Sequence, residues 1–231
     1  MTIKGFQGTS LLDFPGRIAS LIFYGGCNLS CPFCHNPALV IDPFELPDFP
    51  TEAVLEELYA RRTFIDGVVI SGGEPTLAAG LPDLLEEIRR LGLQIKLDTN
   101  GLAPTVLGDL LARRLLDYVA LDVKTAPQRY GELHDSPINL DLLPRSAALL
   151  KNSGIDYEFR TTCVPGFVET DDIHAMGEVL NGGRRWILQQ FMPAHSLDSS
   201  LRETAPHPHE TLTNFAAIGG HYVDEVTLRG V

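Results

Sequence analysis

The stretch "GGCNLSCPFCHNP" occupies residues 25–37 and holds three of the four cysteines of the chain. These cysteines are Cys27, Cys31 and Cys34, and His35 follows the last of them directly. The preceding segment "RIASLIFYG", residues 17–25, is rich in apolar and β-branched residues and predicts a buried strand. The cysteines therefore lie in a loop directly after the first predicted strand, where a parallel fold gathers its functional groups.

The alternation of strand and helix continues along the chain. Strands are predicted at residues 17–25, 66–71, 93–99, 117–124, 155–164 and 184–192, and helices at residues 51–62, 81–92, 103–114, 139–154 and 171–180. Six β/α steps in a row predict an α/β fold whose strands are parallel and joined by crossover helices. Residues 196–231 break this rhythm. The segment at residues 195–210 predicts a surface loop, and the one at residues 222–230 predicts a strand or an extended tail.

Composition and charge narrow the functional classes. The chain has 231 residues, 44% of them hydrophobic, which suits one large domain with a core of its own. A net charge of −12 argues against nucleic acid as a partner, because duplex DNA rewards clustered lysine and arginine. There is no apolar run of about 18 residues and no signal-peptide pattern at the amino terminus. We therefore expect a cytoplasmic protein with reduced thiols and no membrane partner.

The cysteine loop has four chemical interpretations. Cys31-Pro32-Phe33-Cys34-His35 matches the C-x-x-C-H pattern of c-type haem, which requires export. A thioredoxin-like dithiol of Cys31 and Cys34 leaves Cys27 unused. Structural zinc needs four ligands, and the loop offers only three cysteines. His35 is a poor fourth ligand, because a residue next to a ligand usually points in another direction. A [4Fe–4S] cluster on three thiolates leaves one iron open to a small molecule, which makes an active site.

The spacing Cys27-x3-Cys31-x2-Cys34, with Phe33 before the last cysteine, resembles the radical S-adenosylmethionine (radical SAM) superfamily. Matching segments follow each later strand. They are "SGGEPTL" (71–77), "LDTNG" (97–101), "LDVK" (121–124), "FRTTCVPG" (159–166) and "QQFMPAH" (189–195). The resemblance implies a partial (β/α)6 TIM-like barrel over residues 1–195, with residues 196–231 as a C-terminal extension packed on the same domain.

Within the superfamily, "DFPGRIASLIFYGGCNLSCPFCHNP" (13–37) is similar to the opening of the activating enzymes of glycyl radical enzymes. The chain looks most like the long form of the anaerobic ribonucleoside-triphosphate reductase activating proteins. The resemblance implies an oxidoreductase that works anaerobically. It would cleave S-adenosylmethionine reductively on a [4Fe–4S] cluster, and the 5′-deoxyadenosyl radical would take hydrogen from a glycine of a partner glycyl radical enzyme. The expected partner is anaerobic ribonucleotide reductase, and the expected electron donor is reduced flavodoxin or ferredoxin.

The resemblance also assigns roles to individual residues. Cys27, Cys31 and Cys34 would hold the cluster, while Phe33 and His35 would lie beside it. The other implied S-adenosylmethionine contacts are Gly72, Gly73, Glu74, Asp98, Thr99, Asp122, Lys124, Arg160 and His195. Asp98, Thr99 and Asp122 would frame a monovalent cation, since they offer hard oxygen ligands. The structural alternatives are a tight turn at the glycine pair, a helix cap at Glu74 and a salt-bridge cluster at the strand ends. Cys163 is predicted to be a buried apolar residue.

Two other functional classes stay open at this point. One is a small-molecule radical enzyme, such as a 7-carboxy-7-deazaguanine synthase, which shares the cysteine spacing and the partial barrel. The other is a binding module that holds an iron–sulfur cluster or zinc without catalysis. The segments "DFPG", "CHNP" and "LDTNG" favour the activating enzymes over both.

Overall fold

The computed structural model of the protein describes residues 1–134 and 137–231. The described residues form eight strands and seven α-helices. The strands are β1 Ile3–Ser10, β2 Ala19–Tyr24, β3 Gly67–Gly72, β4 Gln94–Thr99, β5 Tyr118–Asp122, β6 Asp156–Cys163, β7 Gly183–Gln190 and β8 Val223–Arg229. The helices are α1 Pro37–Ile41, α2 Thr51–Arg61, α3 Leu81–Arg90, α4 Pro104–Ala112, α5 Leu142–Lys151, α6 Thr170–Leu180 and α7 His209–Gly219. The strand order follows the chain order from β1 to β8.

The chain divides into two compact units. The first unit contains residues 1–28, 38–99 and 105–119, and the second contains residues 29–37, 100–104 and 120–231. The boundary falls inside the cysteine loop, so that Cys27 belongs to the first unit while Cys31 and Cys34 belong to the second.

The first unit is built on strands that are buried along most of their length. Strand β1 pairs with β2 antiparallel, whereas β2–β3 and β3–β4 are parallel pairs with Ile22 opposite Ile70 and Ile70 opposite Leu97. All three of these residues are fully buried, as expected for parallel strands that are covered on both faces. Helix α3 covers the sheet with an apolar stripe at helical spacing, formed by Leu81, Leu84, Leu85 and Ile88.

The second unit contains the parallel pairs β6–β7 and β7–β8. Trp186 of β7 is fully buried, and its indole N–H donates to the hydroxyl of Thr161 at 2.9 Å. That hydroxyl donates in turn to the carbonyl of Val123 at 2.8 Å. These two hydrogen bonds satisfy the buried indole N–H of Trp186 and the hydroxyl of Thr161. Helix α7 buries Leu212 and Phe215 in the same unit.

The prediction of an α/β fold with parallel strands is confirmed, and each predicted strand and helix is present within a few residues of its predicted ends. Three elements were not predicted, namely β1, α1 and α7. Strand β1 precedes the predicted elements and runs antiparallel, α1 follows the cysteine loop, and α7 begins where the expected surface loop ends. Strand β8 occupies the segment predicted as a strand or an extended tail. The division of the chain at residue 195 stays a prediction.

None of the described helices is long and apolar enough to cross a membrane.

Truncation of Phe215 tests the contribution of α7 to the second unit. Phe215→Ala removes a fully buried aromatic ring and is expected to lower the free energy of unfolding by about 3–5 kcal/mol. The matched control is Asn214→Ala, at the exposed neighbouring position, which should change it by less than about 0.5 kcal/mol. Urea unfolding followed by circular dichroism measures both. Equal midpoints for the two variants would show that α7 does not stabilise the fold.

Candidate functional site

The first half of the cysteine loop is fixed by backbone hydrogen bonds within the first unit. The N–H of Gly26 donates to the carbonyl of Leu39 at 2.6 Å, and the carbonyl of Gly26 accepts from the N–H of Glu74 at 2.9 Å. Cys27 follows directly and is half-buried. The main chain that carries the first cysteine is therefore held from two sides, by the segment after the loop and by the segment after β3.

The glycine pair Gly72-Gly73 is required by a close approach of two backbones. The N–H of Gly73 donates to the carbonyl of Tyr24 at 2.8 Å. A Cβ atom at Gly73 would overlap the Gly26 carbonyl, and one at Gly72 would overlap the backbone of Tyr24. Gly72 also has φ +119°, a conformation that residues with a side chain rarely adopt. The structural reason for the pair is thus its contact with the chain that leads into Cys27.

Glu74 is buried, with 1% of its surface exposed, and its carboxylate is a hydrogen-bond centre in the first unit. One carboxylate oxygen accepts from the N–H of Thr76 at 3.1 Å, from the hydroxyl of Thr76 at 2.6 Å and from the hydroxyl of Thr99 at 2.8 Å. Glu74 therefore caps the 3-10 turn that follows it, as its structural alternative predicted. It also joins the end of β3 to the end of β4. Its predicted contact with the methionyl amine stays a prediction.

Asp98, at the end of β4, accepts hydrogen bonds at both carboxylate oxygens. The ammonium of Lys96 lies 2.6 Å from one oxygen, and the hydroxyl of Ser71 lies 3.3 Å from the other. The Lys96 side chain is only 2% exposed, so this ion pair is shielded from solvent. Sequence reasoning selected Asp98 but missed Lys96 and Ser71. A lysine inside an otherwise apolar strand was the available signal for the first.

The second half of the loop is fixed within the second unit. The N–H of Ser30 donates to the carbonyl of Leu133 at 2.9 Å, and the N–H of Asp198 donates to the carbonyl of Pro32 at 2.8 Å. The segment around Asp198 thus helps to position the cysteine loop. The sequence pattern gave no sign of this contact, because the two residues are far apart in the chain.

Cys31 and Cys34 form a turn with a buried aromatic residue between them. The N–H of Cys34 donates to the carbonyl of Cys31 at 2.9 Å. Phe33 is 4% exposed and packs edge-to-face against Phe167, with ring centroids 5.2 Å apart. None of the four cysteines, all of which the structure describes, forms a disulfide. Phe33 therefore anchors the turn between Cys31 and Cys34 in the core of the second unit.

An ion-pair cluster lies at the strand ends of the second unit. The Asp122 carboxylate accepts from Lys124 Nζ at 2.7 Å and from Arg160 Nε at 2.6 Å. Burial alone would raise the pKa of Asp122, but the charges of Arg160 and Lys124 outweigh it and hold that pKa well below its usual range. Burial alone would lower the pKa of Lys124, yet Asp122 and the sulfur of Cys31 hold it above its usual range. The cluster stays ionised at neutral pH and carries one net positive charge.

Tyr130 supports this cluster and was missed by the sequence analysis. Its hydroxyl accepts a hydrogen bond from the backbone N–H of Lys124 at 3.1 Å, and its side chain is fully buried. Burial raises the pKa of Tyr130, so the hydroxyl stays neutral. Tyr130 therefore fixes the main chain of Lys124 without adding a charge.

His35 carries a buried nitrogen without a hydrogen-bond partner among the described residues. This atom is Nε2. The pKa of His35 is lowered, first because burial disfavours the imidazolium and then because of the charges of Lys124 and His195. Lys124, Arg160 and His195 are thus electrostatic neighbours of His35. His195 itself ends an exposed 3-10 turn.

The residues of the site fit the iron–sulfur cluster that the cysteine spacing predicts. The loop supplies three cysteines outside any disulfide, the buried Nε2 of His35 has no hydrogen-bond partner among the described residues, and a net positive charge lies near Cys31. Among residues 1–134 and 137–231, no three His, Cys, Asp or Glu side chains converge as the ligands of a single metal ion. A cluster does not require such convergence, because each thiolate binds a different iron.

Cys163 differs from the loop cysteines. It is fully buried in β6, and burial raises the pKa of its thiol to about 12. A thiol in such surroundings behaves as a small apolar side chain rather than as a ligand.

The two units divide the predicted site residues between them. The first unit holds Cys27, Gly72, Gly73, Glu74, Asp98 and Thr99, and the second holds Cys31, Phe33, Cys34, His35, Asp122, Lys124, Arg160 and His195. Within the first unit, Glu74 and Thr99 are hydrogen-bonded. Within the second unit, Asp122 forms ion pairs with Lys124 and Arg160. Both oxygens of Asp98 and of Asp122 already accept from protein donors. The predicted monovalent cation, with Thr99 as its third ligand, stays a prediction.

Comparison with known proteins identifies the family. The profile of the Radical SAM superfamily matches residues 21–178, which include the cysteine loop and the strand ends from β2 to β6.

Two relatives match most of the chain. Protein MJ1227 of Methanocaldococcus jannaschii, whose name describes it as a glycyl-radical enzyme activating enzyme, is 30% identical and the match covers 99% of this chain and 96% of MJ1227. The pyruvate formate-lyase 1-activating enzyme of Escherichia coli K12 is 29% identical, with 84% of this chain and 81% of that enzyme covered.

The fold is also found in a solved structure. Streptococcus suis SuiB bound to S-adenosylmethionine superposes with a TM-score of 0.63 at 14% identity, over 91% of this chain. The chain spans about half the length of SuiB, 52%. This likeness confirms the predicted fold class. Taken with the profile and the full-length relative, it shows that the chain belongs to the radical SAM superfamily, among its glycyl-radical enzyme activating enzymes.

Proposed function

We propose that this protein activates a glycyl radical enzyme and that its direct substrate is a glycine in a loop of that partner. The bound [4Fe–4S] cluster would supply the electron that cleaves S-adenosylmethionine into methionine and the 5′-deoxyadenosyl radical, which takes hydrogen from the glycine. The observation that carries the proposal is the loop of three cysteines outside any disulfide, whose first half is held by hydrogen bonds from the N–H groups of Gly73 and Glu74.

The side chains of the site have separate tasks in this proposal. Cys27, Cys31 and Cys34 hold the cluster through their thiolates. The net positive charge of the Asp122, Lys124 and Arg160 cluster favours thiolate over thiol at Cys31 and attracts the carboxylate of S-adenosylmethionine.

The remaining residues position these groups or exclude water. Glu74 and Thr99 lock the ends of β3 and β4 together, and the amine of the substrate would be recognised beside them. Phe33 keeps the Cys31–Cys34 turn seated in the core. The buried Nε2 of His35 would find its hydrogen-bond partner in the bound cluster or in S-adenosylmethionine.

For the partner, we propose anaerobic ribonucleotide reductase, with reduced flavodoxin or ferredoxin as the electron donor. The support is the resemblance of residues 13–37 to the activating proteins of that reductase. A relative named 7-carboxy-7-deazaguanine synthase, from Hyperthermus butylicus, is 33% identical but covers only 53% of the chain. The small-molecule alternative therefore has the weaker support.

The test of the proposed function is an anaerobic assay in two stages. The protein is reconstituted with iron and sulfide, reduced and given S-adenosylmethionine, and 5′-deoxyadenosine is quantified. The anaerobic ribonucleotide reductase of the same organism is then added, and its glycyl radical is measured by electron paramagnetic resonance. We expect 5′-deoxyadenosine only with the reduced cluster, and a glycyl radical only with all components. Cleavage without a glycyl radical on any candidate enzyme would favour a small-molecule substrate, and absence of cleavage would refute the radical chemistry.

Removal of one loop cysteine should abolish both the cluster and the reaction. Cys31→Ala leaves two thiolates for three irons, so we expect loss of bound iron, of cluster absorbance and of 5′-deoxyadenosine formation together. The matched control is Cys163→Ala, which removes a buried thiol outside the loop and should retain all three signals. Cleavage activity that survives in Cys31→Ala would contradict the assigned role of this cysteine.

The glycine pair can be tested by adding a single methyl group. Gly73→Ala places a Cβ atom against the Gly26 carbonyl, where only a shift of the backbone relieves the overlap. We expect a loss of more than about 1 kcal/mol in the free energy of unfolding and a lower iron content after reconstitution. Gly80→Ala, after the same strand, is the control because a Cβ there would meet nothing within 4 Å. If both variants bind iron equally, the approach of the two backbones is not what holds the first half of the loop.

A further inference from the structure

An apolar and acidic turn follows the cysteine loop in the first unit. The N–H of Glu45 donates to the carbonyl of Asp42 at 3.2 Å, which closes a four-residue turn with Pro43 and Phe44 at its centre. Phe44 is 90% exposed, and Ile41, directly before the turn, is 67% exposed. Among the described residues, Phe44 is the most exposed large apolar side chain, and Ile41 three positions earlier adds to the apolar surface, which is the kind of feature that marks interaction sites.

The chain directly after the turn is anchored to β1, so Phe44 is presented by an ordered backbone. Lys4 has a side chain that is only 6% exposed, and its ammonium contacts the carbonyl of Leu46 at 2.9 Å and the carboxylate of Asp48 at 2.8 Å. The N–H of Phe49 donates to the carbonyl of Ile3 in β1 at 2.9 Å. An aromatic side chain on a fixed turn loses little conformational entropy on binding, which suits it as the anchor of an interface.

The turn also lies beside the start of the cysteine loop. A Cβ atom at Gly25 would come within 3.0 Å of Pro43, so the proline covers the backbone two residues before Cys27. In the proposed function, a partner protein must bring a glycine to the group that Cys27 helps to hold. A docking surface for such a partner has to lie near this loop, and Phe44 meets that requirement.

Apart from Lys4, which is paired with Asp48, the charged residues of this part of the sequence are acidic. No lysine or arginine occurs from residue 18 to residue 60, whereas this stretch contains six carboxylates. Those of Asp42 and Glu45, which flank Phe44, are exposed and have no ion-pair partner among the described residues. A bound partner would therefore complement this surface with lysine or arginine around an apolar pocket.

We propose that the turn Asp42–Glu45, together with Ile41, is a docking surface for the protein substrate. The inference rests on the proposed function, and it specifies the partner's contact region as an apolar pocket with a basic rim. Phe44 fills the pocket, and the two carboxylates steer the encounter and fix its register.

The test separates docking from radical chemistry by using two readouts. Phe44→Ser is compared with Phe64→Ser, a control at a 59%-exposed phenylalanine before the amino end of β3. The substrate is the glycyl radical enzyme that the wild-type protein activates in the assay above. We expect Phe44→Ser to raise the apparent KM for that enzyme by about 30-fold, as for a hot-spot residue, with unchanged 5′-deoxyadenosine formation in its absence. Phe64→Ser should change neither value.

A second pair of variants tests the charges. Asp42→Asn with Glu45→Gln should lower kcat/KM for the partner about threefold at low salt and flatten its salt dependence. The control is Glu178→Gln with Asp224→Asn, which removes two exposed carboxylates of the second unit.

Three outcomes would overturn the docking surface. They are equal KM values for the two phenylalanine variants, loss of 5′-deoxyadenosine formation in Phe44→Ser, and a wild-type dimer in sedimentation that Phe44→Ser converts to a monomer. The last would assign the turn to self-association. If the wild-type protein forms 5′-deoxyadenosine but activates no glycyl radical enzyme, the proposed function is refuted. The docking surface, which rests on that function, is then refuted as well.

Discussion

The first unit depends on the approach of two stretches of backbone, one before Cys27 and one after β3. Two hydrogen bonds join them, from Gly73 to Tyr24 and from Glu74 to Gly26. Neither can form at this distance if a side chain is present at the glycines. The glycine-glycine-glutamate segment is therefore first a structural clamp on the cysteine loop. The same residues lie at the carboxyl end of β3, where a ligand is expected. A role in ligand recognition would therefore come in addition to the structural role.

In the second unit, the corresponding constraint is electrostatic. A single carboxylate, Asp122, is shared by Lys124 and Arg160, and the sulfur of Cys31 adds to the field that keeps Lys124 charged. A part-buried cluster of three charges is stable only when it is well paired, so its geometry is tightly specified. The net positive charge of these three groups suits an anionic ligand. Backbone hydrogen bonds of the first unit thus hold the loop before Cys27, and a positively charged cluster of the second unit lies near Cys31.

The sequence predicted the repeating β/α units because apolar runs and polar strand ends alternate with a regular period. It predicted the cysteines and the residues that follow each strand because these lie in local motifs. It did not predict β1, whose residues alternate weakly, or α7, which follows a segment rich in serine, proline and histidine. The contacts of Lys96 with Asp98 and of Tyr130 with the N–H of Lys124 were also missed, although the residues are only two and six positions apart. Strand alternation and motif spacing do not show that these side chains meet, because the contact depends on how the chain folds around them.

An enzyme whose substrate is another protein must bind the reacting residue and must also recognise the partner's surface. This chain has separate groups for the two tasks. The reacting glycine has no side chain, so it provides the site with almost nothing to recognise. Affinity and selectivity must then come from contacts away from the reacting atom, on surfaces that the chemistry itself does not need. The exposed Phe44 beside the cysteine loop, within a stretch of 43 residues that lacks lysine and arginine, is a surface of this kind.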